Sequence, residues 1–340
     1  MTPDRAPRGR ALRPVLLRAA VLLALTAGLA GCAQVSPNVF QTHGASAHDI
    51  KVLTITMFGI LSGVLITVWT LLALVLIRFR ERPGREPSQV HGNTTIEVVW
   101  TVIPAVIVVV LFALTMQTTG RLVGSAEPVQ LTVTGHQWWW QVSYTGADFE
   151  TANEIHIPAD QTIRLDLLSA DVIHTFWCPQ IAGKIQMIPG HVNRLTILPV
   201  TPGKYLGVCA DFCGAQHAHM HFLVYVESPA AFSTWFHHEL TPAAQPTGAQ
   251  AIAGEAAMAR LPCASCHTIR GTSMAGTFGP DLTHLASRST IAAVTLTNTQ
   301  TNLRRWISDP QGVKPGTHMP DVPLTPQIVS EIVAYLEELR

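Results

Sequence analysis

Cys209-Ala210-Asp211-Phe212-Cys213-Gly214-Ala215-Gln216-His217-Ala218-His219-Met220 is the stretch whose reading decides what this chain is built around. Two thiols, two imidazoles and a thioether fall within twelve residues, and a further histidine, His174, lies thirty-five residues upstream of Cys209. These donors are soft or borderline, and the set suits copper. Two cysteines and two histidines also make a tetrahedral structural zinc site. Against zinc, the cysteines are four apart rather than in a tight knuckle, and a methionine follows at ligand distance. Thioether is a poor zinc ligand and a common weak copper ligand.

A second motif follows downstream, Cys263-Ala264-Ser265-Cys266-His267. Two thiols in this order can form thioethers to the vinyl groups of a haem, and the next histidine then becomes the proximal iron ligand. A thioredoxin-like or zinc Cys-x-x-Cys needs a βαβ context or a second ligand pair, and neither is present. A distal ligand must come from far enough along the chain to cross the haem. Met274 is too close to His267, whereas Met319 in Lys314-Pro315-Gly316-Thr317-His318-Met319-Pro320 is well placed, with His318 as its rival. Copper together with covalent haem on one chain points to electron transfer.

The N-terminal third addresses the chain to a membrane. Arg5, Arg8, Arg10, Arg13 and Arg18 precede or enter an apolar run over 15–30 that ends Leu29-Ala30-Gly31-Cys32. A basic region, a short apolar region and small residues before the cut read as a bacterial signal peptide over 1–31. Cysteine directly after Leu-Ala-Gly looks like a lipobox, with Cys32 lipidated. Residues 52–77 are apolar and uncharged, and 98–116 form a second such run with Pro104 in its first third. Each is near or above the ~20 residues that cross a bilayer. The connection between them carries Arg78, Arg80, Arg82 and Arg85, which predicts a cytoplasmic loop. Both ends of the hairpin then face outward, with the copper and haem segments on the periplasmic or outer side of the plasma membrane.

The chain is neutral in sum, with 22 basic and 22 acidic residues. Charge nevertheless sorts by segment: ten basic against five acidic residues over 1–120, and five against ten over 121–240. The acidic middle is either a solvated surface or a steering field for a cationic redox partner; no nucleic-acid partner is expected. Of six cysteines, five are assigned to lipid, copper or haem. Cys178 is left as a buried free thiol.

Alternating runs at 129–134, 162–167 and 192–197 are separated by Pro158, Pro189-Gly190 and Pro202-Gly203, as short strands with turns are. They predict a cupredoxin-like Greek-key β-sandwich over 121–240, with His174 on an early loop and the cysteines on a late one. A helix over 229–240 closes it, and a Pro- and Ala-rich linker spans 241–250. Helices near 251–260, 301–308 and 326–339 give the all-α layout of a small class I cytochrome c over 251–340. With the N-terminal segment and transmembrane hairpin over 32–120, the chain is multidomain.

Taken together, residues from about 40 to 340 resemble subunit II of a haem–copper cytochrome c oxidase, of the caa type with a cytochrome c domain fused at its C-terminus. The resemblance is carried by Glu97-Val98-Val99-Trp100-Thr101-Val102-Ile103-Pro104, Gly135-His136-Gln137-Trp138-Trp139-Trp140, Asp171-Val172-Ile173-His174-Thr175-Phe176-Trp177 and the 209–220 loop. It implies a dinuclear copper centre held by His174, Cys209, Cys213, His217 and Met220, with Asp211 adding its backbone carbonyl. Many members have Glu where this chain has Asp211, which puts a magnesium shared with subunit I in doubt. The resemblance makes Trp138 an exposed point of electron entry, leaves Trp139 and Trp140 to pack the domain against the membrane, and sets Glu97 at the mouth of a proton path. His219 and His221 are expected to point away from copper.

In the C-terminal domain it implies thioethers at Cys263 and Cys266, axial ligands His267 and Met319, and a Pro280 carbonyl, in Phe278-Gly279-Pro280-Asp281-Leu282, that orients His267. The implied function is electron entry into a terminal respiratory oxidase. Electrons come from cytochrome c or a similar donor, pass the haem and the copper pair, and reach subunit I, where oxygen is reduced to water with proton pumping; subunit III is a further expected partner. A quinol oxidase subunit II would share the hairpin and sandwich but lack the copper and haem motifs. A copper-carrying or redox-sensing lipoprotein would need neither Trp138 nor Glu97. A soluble nitrous oxide reductase would lack the hairpin.

Overall fold

The computed structural model describes residues 37–80, 84, 92–122 and 130–340. The expected signal peptide, Cys32 and most of the arginine-rich connection lie outside the described residues. Two long helices come first, α1 (Ala45–Arg78, 34 residues) and α2 (Thr94–Leu122, 29 residues). Each extends past the apolar run that announced it. At 1.5 Å per residue, α1 is about 50 Å long, well beyond a hydrocarbon core of about 30 Å. The surplus belongs to the N-terminal end, where α1 is stitched to the β-domain: Ala45 N–H donates to the Leu198 carbonyl at 3.0 Å and Ala47 is buried. Elsewhere both helices expose Leu, Val, Ile and Phe all round. Thr54, Thr56, Thr67 and Thr70 turn their hydroxyls onto carbonyls four residues back, which satisfies these donors where no water would.

The middle of the chain is a two-sheet sandwich. One sheet has the order β3 (Glu150–Ala152), β2 (Trp139–Tyr144), β1 (Leu131–His136), β5 (Ile163–Ser169), β8 (Asn193–Ile197). The other has β4 (Glu154–Pro158), β10 (His221–Glu227), β9 (Gly203–Cys209), β6 (His174–Trp177), β7 (Ile185–Met187). Strict alternation in β1 and β2 sends Leu131, Val133, Trp140 and Val142 inward, the period-2 pattern that buries one face. Trp140 is fully buried against Phe176 and Phe222, so it packs the sandwich core; the expectation that it packs toward the membrane is corrected. The strand alternation of β2 places Trp139 on the opposite face, stacked on His136 at 4.5 Å. Helix α3 (Pro229–Glu239) closes this domain with Trp235 and Phe236 against Tyr144 and Phe149.

The C-terminal domain is built on α4 (Ala249–Arg260) crossing α8 (Pro326–Glu338), with α5 (Cys263–Cys266), α6 (Gln300–Ser308) and α7 (Pro310–Val313) between them. The crossing is close because Gly254 has no side chain: a Cβ there would lie 2.0 Å from the Glu331 carbonyl oxygen. A two-residue hairpin, β11 (Thr290–Ile291) with β12 (Leu296–Thr297), interrupts the otherwise helical layout. Segment 241–250 is tied to this domain: Ala243 is buried in its core, and its N–H donates to the Arg270 carbonyl at 2.9 Å.

Candidate metal and haem sites

The end of β9, a turn of 3-10 helix at His217–His219 and the start of β10 fold residues 209–220 back on themselves beside His174, the first residue of β6. Cys209 Sγ and Cys213 Sγ are 3.8 Å apart. His174 Nδ1 lies 3.9 Å from Cys209 Sγ, and His217 Nδ1 lies 3.6 Å from Cys213 Sγ. Met220 Sδ is 3.7 Å from Cys213 Sγ, and the Asp211 carbonyl is 3.2 Å from Cys209 Sγ. Thus six donors from the two sequence segments converge on one small volume. Gly135 in β1 makes room for the His174 ring, since a Cβ there would sit 2.9 Å from its Cδ2. His219 turns away and meets Gln216 Oε1 at 2.8 Å through Nδ1.

Electrostatics suit a cation. The hydrogen bond between the two sulfurs lowers the Cys209 pKa and raises that of Cys213. One thiolate forms easily, and a second needs a positive charge between the sulfurs. Burial opposes the charged form of His174, but its hydrogen bond to Asp171 prevails and raises the pKa. That bond, 2.8 Å from Nε2 to Asp171 Oδ1, leaves Nδ1 to face the sulfurs. Carboxylate–histidine pairing of this kind orients a ligating ring. Asp171 was not singled out from the sequence, although the signal was there: Asp-x-x-His brings carboxylate and ring together.

Cys263, Cys266, His267 and Met319 all line one cavity of about 460 Å³. His267 Nδ1 meets the Pro280 carbonyl at 2.7 Å, which leaves Nε2 for a ligand. Burial lowers the His267 pKa and so favours the neutral ring that binds metal. Gln311 scaffolds the loop bearing Met319, donating to the Thr317 and Met319 carbonyls at 2.8 Å each and accepting from Gly316 N–H. Most of the wall is apolar, including Met258, Leu303 and Ile307, while Arg288 and Thr290 add polar groups. The Thr290 hydroxyl is buried without a protein partner. A mainly apolar slot with two thiols, an imidazole, a thioether and a polar edge fits an amphiphilic iron porphyrin.

The sequence predicts an exposed Trp138, but the structure covers it: the residue is only 8% exposed. Its indole donates to the Cys213 carbonyl at 3.0 Å, and Gln137 Nε2 donates to the same oxygen at 2.7 Å. From the other side His318 approaches within 6.2 Å, ring to ring, and His318 in turn stacks on Phe278 at 5.8 Å. The cover is the chain's own C-terminal domain. The remaining expected residue, Glu97, lies in the exposed first turn of α2, where Oε1 accepts from Asn93 N–H at 3.2 Å.

Comparison with known proteins decides the family. The model for the transmembrane domain of cytochrome c oxidase subunit II matches residues 34–117, and that for its periplasmic domain matches 147–227. A cytochrome c model matches 251–340. "Cytochrome c oxidase subunit 2" of Alkalihalophilus pseudofirmus is 32% identical over 331 residues, covering 93% of this chain and 95% of that protein. The chain belongs to the cytochrome c oxidase subunit II family.

A Bacillus cereus "Quinol oxidase subunit 2" is 32% identical over 222 residues, 63% of this chain and 76% of that protein. The crystal structure of the periplasmic domain of cytochrome oxidase subunit II of Bradyrhizobium japonicum is 29% identical, covering 35% of this chain and 96% of that one, with a TM-score of 0.33. Subunit II membership makes this chain part of an oxidoreductase complex in a membrane, with subunit I as partner, a cytochrome c donor and a role in electron transfer. Its two domain types imply copper and haem.

Proposed function

We propose that this chain is the electron-entry subunit of a caa-type terminal oxidase. It takes electrons from a cytochrome c-type donor and delivers them to subunit I, where oxygen is reduced to water and protons are pumped. The observation that carries this reading is the convergence of six donors, five from the 209–220 loop and one from His174, with Trp138 hydrogen-bonded to the Cys213 carbonyl and lining the cavity of Cys263, Cys266 and His267. A dinuclear copper centre and a covalent haem c, when bound, supply one-electron chemistry at these two places.

The chain's own groups set the conditions for it. Cys209, Cys213, His174, His217, Met220 and the Asp211 carbonyl would together hold the copper. Buried Met220 and the Asp171-anchored His174 keep the donors in place through a change of charge, which keeps reorganisation small. Cys263 and Cys266 would carry the thioethers, and His267 and Met319 would ligate the iron. A methionine and histidine ligand pair raises a haem potential.

The hairpin would leave both domains on the periplasmic side, with Cys32 as lipid anchor after removal of 1–31. Asp211 Oδ2 accepts from Thr175 and Gln186, so a magnesium at the subunit I interface would have to use the other oxygen. Glu97 would stand at the mouth of a proton path into subunit I, at the cytoplasmic end of α2. Subunit III would complete the complex.

The test is to purify the complex from membranes and compare substrates. Oxidation of reduced cytochrome c, with copper and haem c recovered on this chain, is the expected result. Oxidation of quinol alone, without copper on this chain, would overturn the proposal in favour of the quinol oxidase reading.

A further inference from the structure

Lys314 is 2% exposed and ends in a ring of main-chain oxygens. Its Nζ donates to the Trp138 carbonyl at 2.7 Å, the His219 carbonyl at 2.9 Å and the Ala292 carbonyl at 3.3 Å. Two of these acceptors belong to the β-sandwich, His219 within its sulfur loop and Trp138 against it; the third belongs to the C-terminal domain that supplies Lys314 itself. An ammonium has three donors and no acceptor, so three carbonyls satisfy it completely. Leaving a buried cation short of partners would be costly, so the ring holds only while the two domains are in contact. Burial lowers the pKa of this lysine to about 7, as expected for an ammonium held away from water.

Two further features mark the contact as built. Ala292, Ala293 and Val294 all have positive φ, at 54°, 57° and 65°, a conformation that non-glycine residues rarely adopt. This run presents the Ala292 carbonyl to Lys314 and the Ala293 carbonyl to His221 N–H, the residue after Met220. At a second point Ser289 gathers three groups of the sandwich: Lys204 Nζ at 2.7 Å, the Tyr225 hydroxyl at 2.7 Å and Glu154 Oε1 at 3.2 Å. Gln216 Nε2 adds a bond to the Pro315 carbonyl at 2.6 Å.

We propose that Lys314 is a positioning residue that locks the cytochrome domain onto the sulfur loop, making Trp138 an internal relay closed to outside donors. The inference rests on the proposed electron path and adds a route to it. A soluble donor has no access to Trp138, so it docks on the cytochrome domain. Each event moves one electron: the cytochrome domain's iron is oxidised, the copper pair is reduced, and no proton or leaving group is involved.

The test uses the intact oxidase with Lys314→Met. Hydrogen exchange of the amides at 137–139 and 214–219 is expected to rise while the haem spectrum and copper resonance stay as in the wild type. On mixing with reduced soluble cytochrome c, the wild type should reduce its haem first and its copper second. The variant should show the haem-to-copper step slowed about tenfold, which is about 1.4 kcal/mol, the scale of one hydrogen bond to a charged group. A copper phase that precedes haem reduction should also appear.

Unchanged exchange and unchanged rate in the variant would overturn the role of Lys314 and leave the proposed function standing. Copper reduced ahead of haem in the wild type would overturn the internal routing. An absence of electron flow between haem and copper in the wild type would instead defeat the proposed function itself. If Lys314→Met does not load its cofactors, Ser289→Ala decides at the second contact: faster exchange at 137–139 with slower transfer is expected, and no change in either overturns the lock.

Discussion

Replacing Asp171 with alanine isolates what the carboxylate contributes to the copper site. In the structure Asp171 Oδ1 accepts from His174 Nε2 at 2.8 Å and from Val172 N–H at 2.6 Å, while Oδ2 accepts from Gln137 N–H at 2.6 Å. His174 is fully buried, so alanine leaves its ring N–H unpaired, a loss of about 1–3 kcal/mol. Removing a group that orients a metal-bound histidine costs about 10–100-fold in metal affinity, or about 1.4–2.8 kcal/mol. The two estimates overlap. Because the Asp171 side chain is 25% exposed, water can enter in its place, which favours the lower end, near tenfold.

Asparagine is not a rescue: its single oxygen can serve His174 or Gln137, and its amide then faces the other donor. The assay is competition for copper between the protein and a chelator, on wild type, Asp171→Ala and Asp171→Asn. Weakened binding in both variants, with the alanine form near tenfold, is expected. An affinity within twofold of wild type for both would refute the claim that Asp171 orients His174.

Met319→Leu should keep the haem attached through Cys263 and Cys266 but lower its reduction potential, measured by spectroelectrochemical titration; an unchanged potential would transfer the distal role to His318. Gly254→Ala drives a Cβ against the Glu331 backbone at the α4–α8 crossing. Overpacking of this kind costs about 1–3 kcal/mol, so the melting midpoint of the C-terminal domain should fall, and an unaltered midpoint contradicts the close crossing.

His156 lies between Tyr225 and Trp235, with Glu154 and Glu227 at its ring nitrogens. Burial opposes its charge, yet the two glutamates prevail and raise its pKa above the ordinary 6.5. Its charged form therefore stabilises the fold below that value, and the contribution disappears as pH rises through the folded pKa. Thermal melts should show wild type ahead of His156→Gln in acid, with the gap closing in base; a gap independent of pH would refute the assignment.

The ligand residues were legible because their chemistry is local. Cys209, Cys213, His217 and Met220 lie within twelve residues, and Cys263, Cys266 and His267 within five. The hairpin was legible because twenty apolar residues in a row have few alternatives, although the ends of α1 depended on contacts with Leu198 that no run of hydropathy encodes. The strands missed from sequence, such as β4 and β6, bury polar residues, Glu154 and His156 in one and His174 and Thr175 in the other, so polarity there does not mark a solvent face. What the sequence could not give was the domain contact. Trp138 reads as a surface aromatic, and nothing in the sequence singles out Lys314, until the C-terminal domain is seen to bury both. Their burial depends on residues more than a hundred positions apart.

Electron spin resonance of the copper-loaded, oxidised protein, with two copper nuclei resolved or not, tests the central claim most directly. Two coppers per chain with one unpaired electron shared equally between them is the predicted result. One copper per chain, or an electron localised on a single nucleus, would contradict the dinuclear assignment of His174, Cys209, Cys213, His217 and Met220 and with it the electron-entry role.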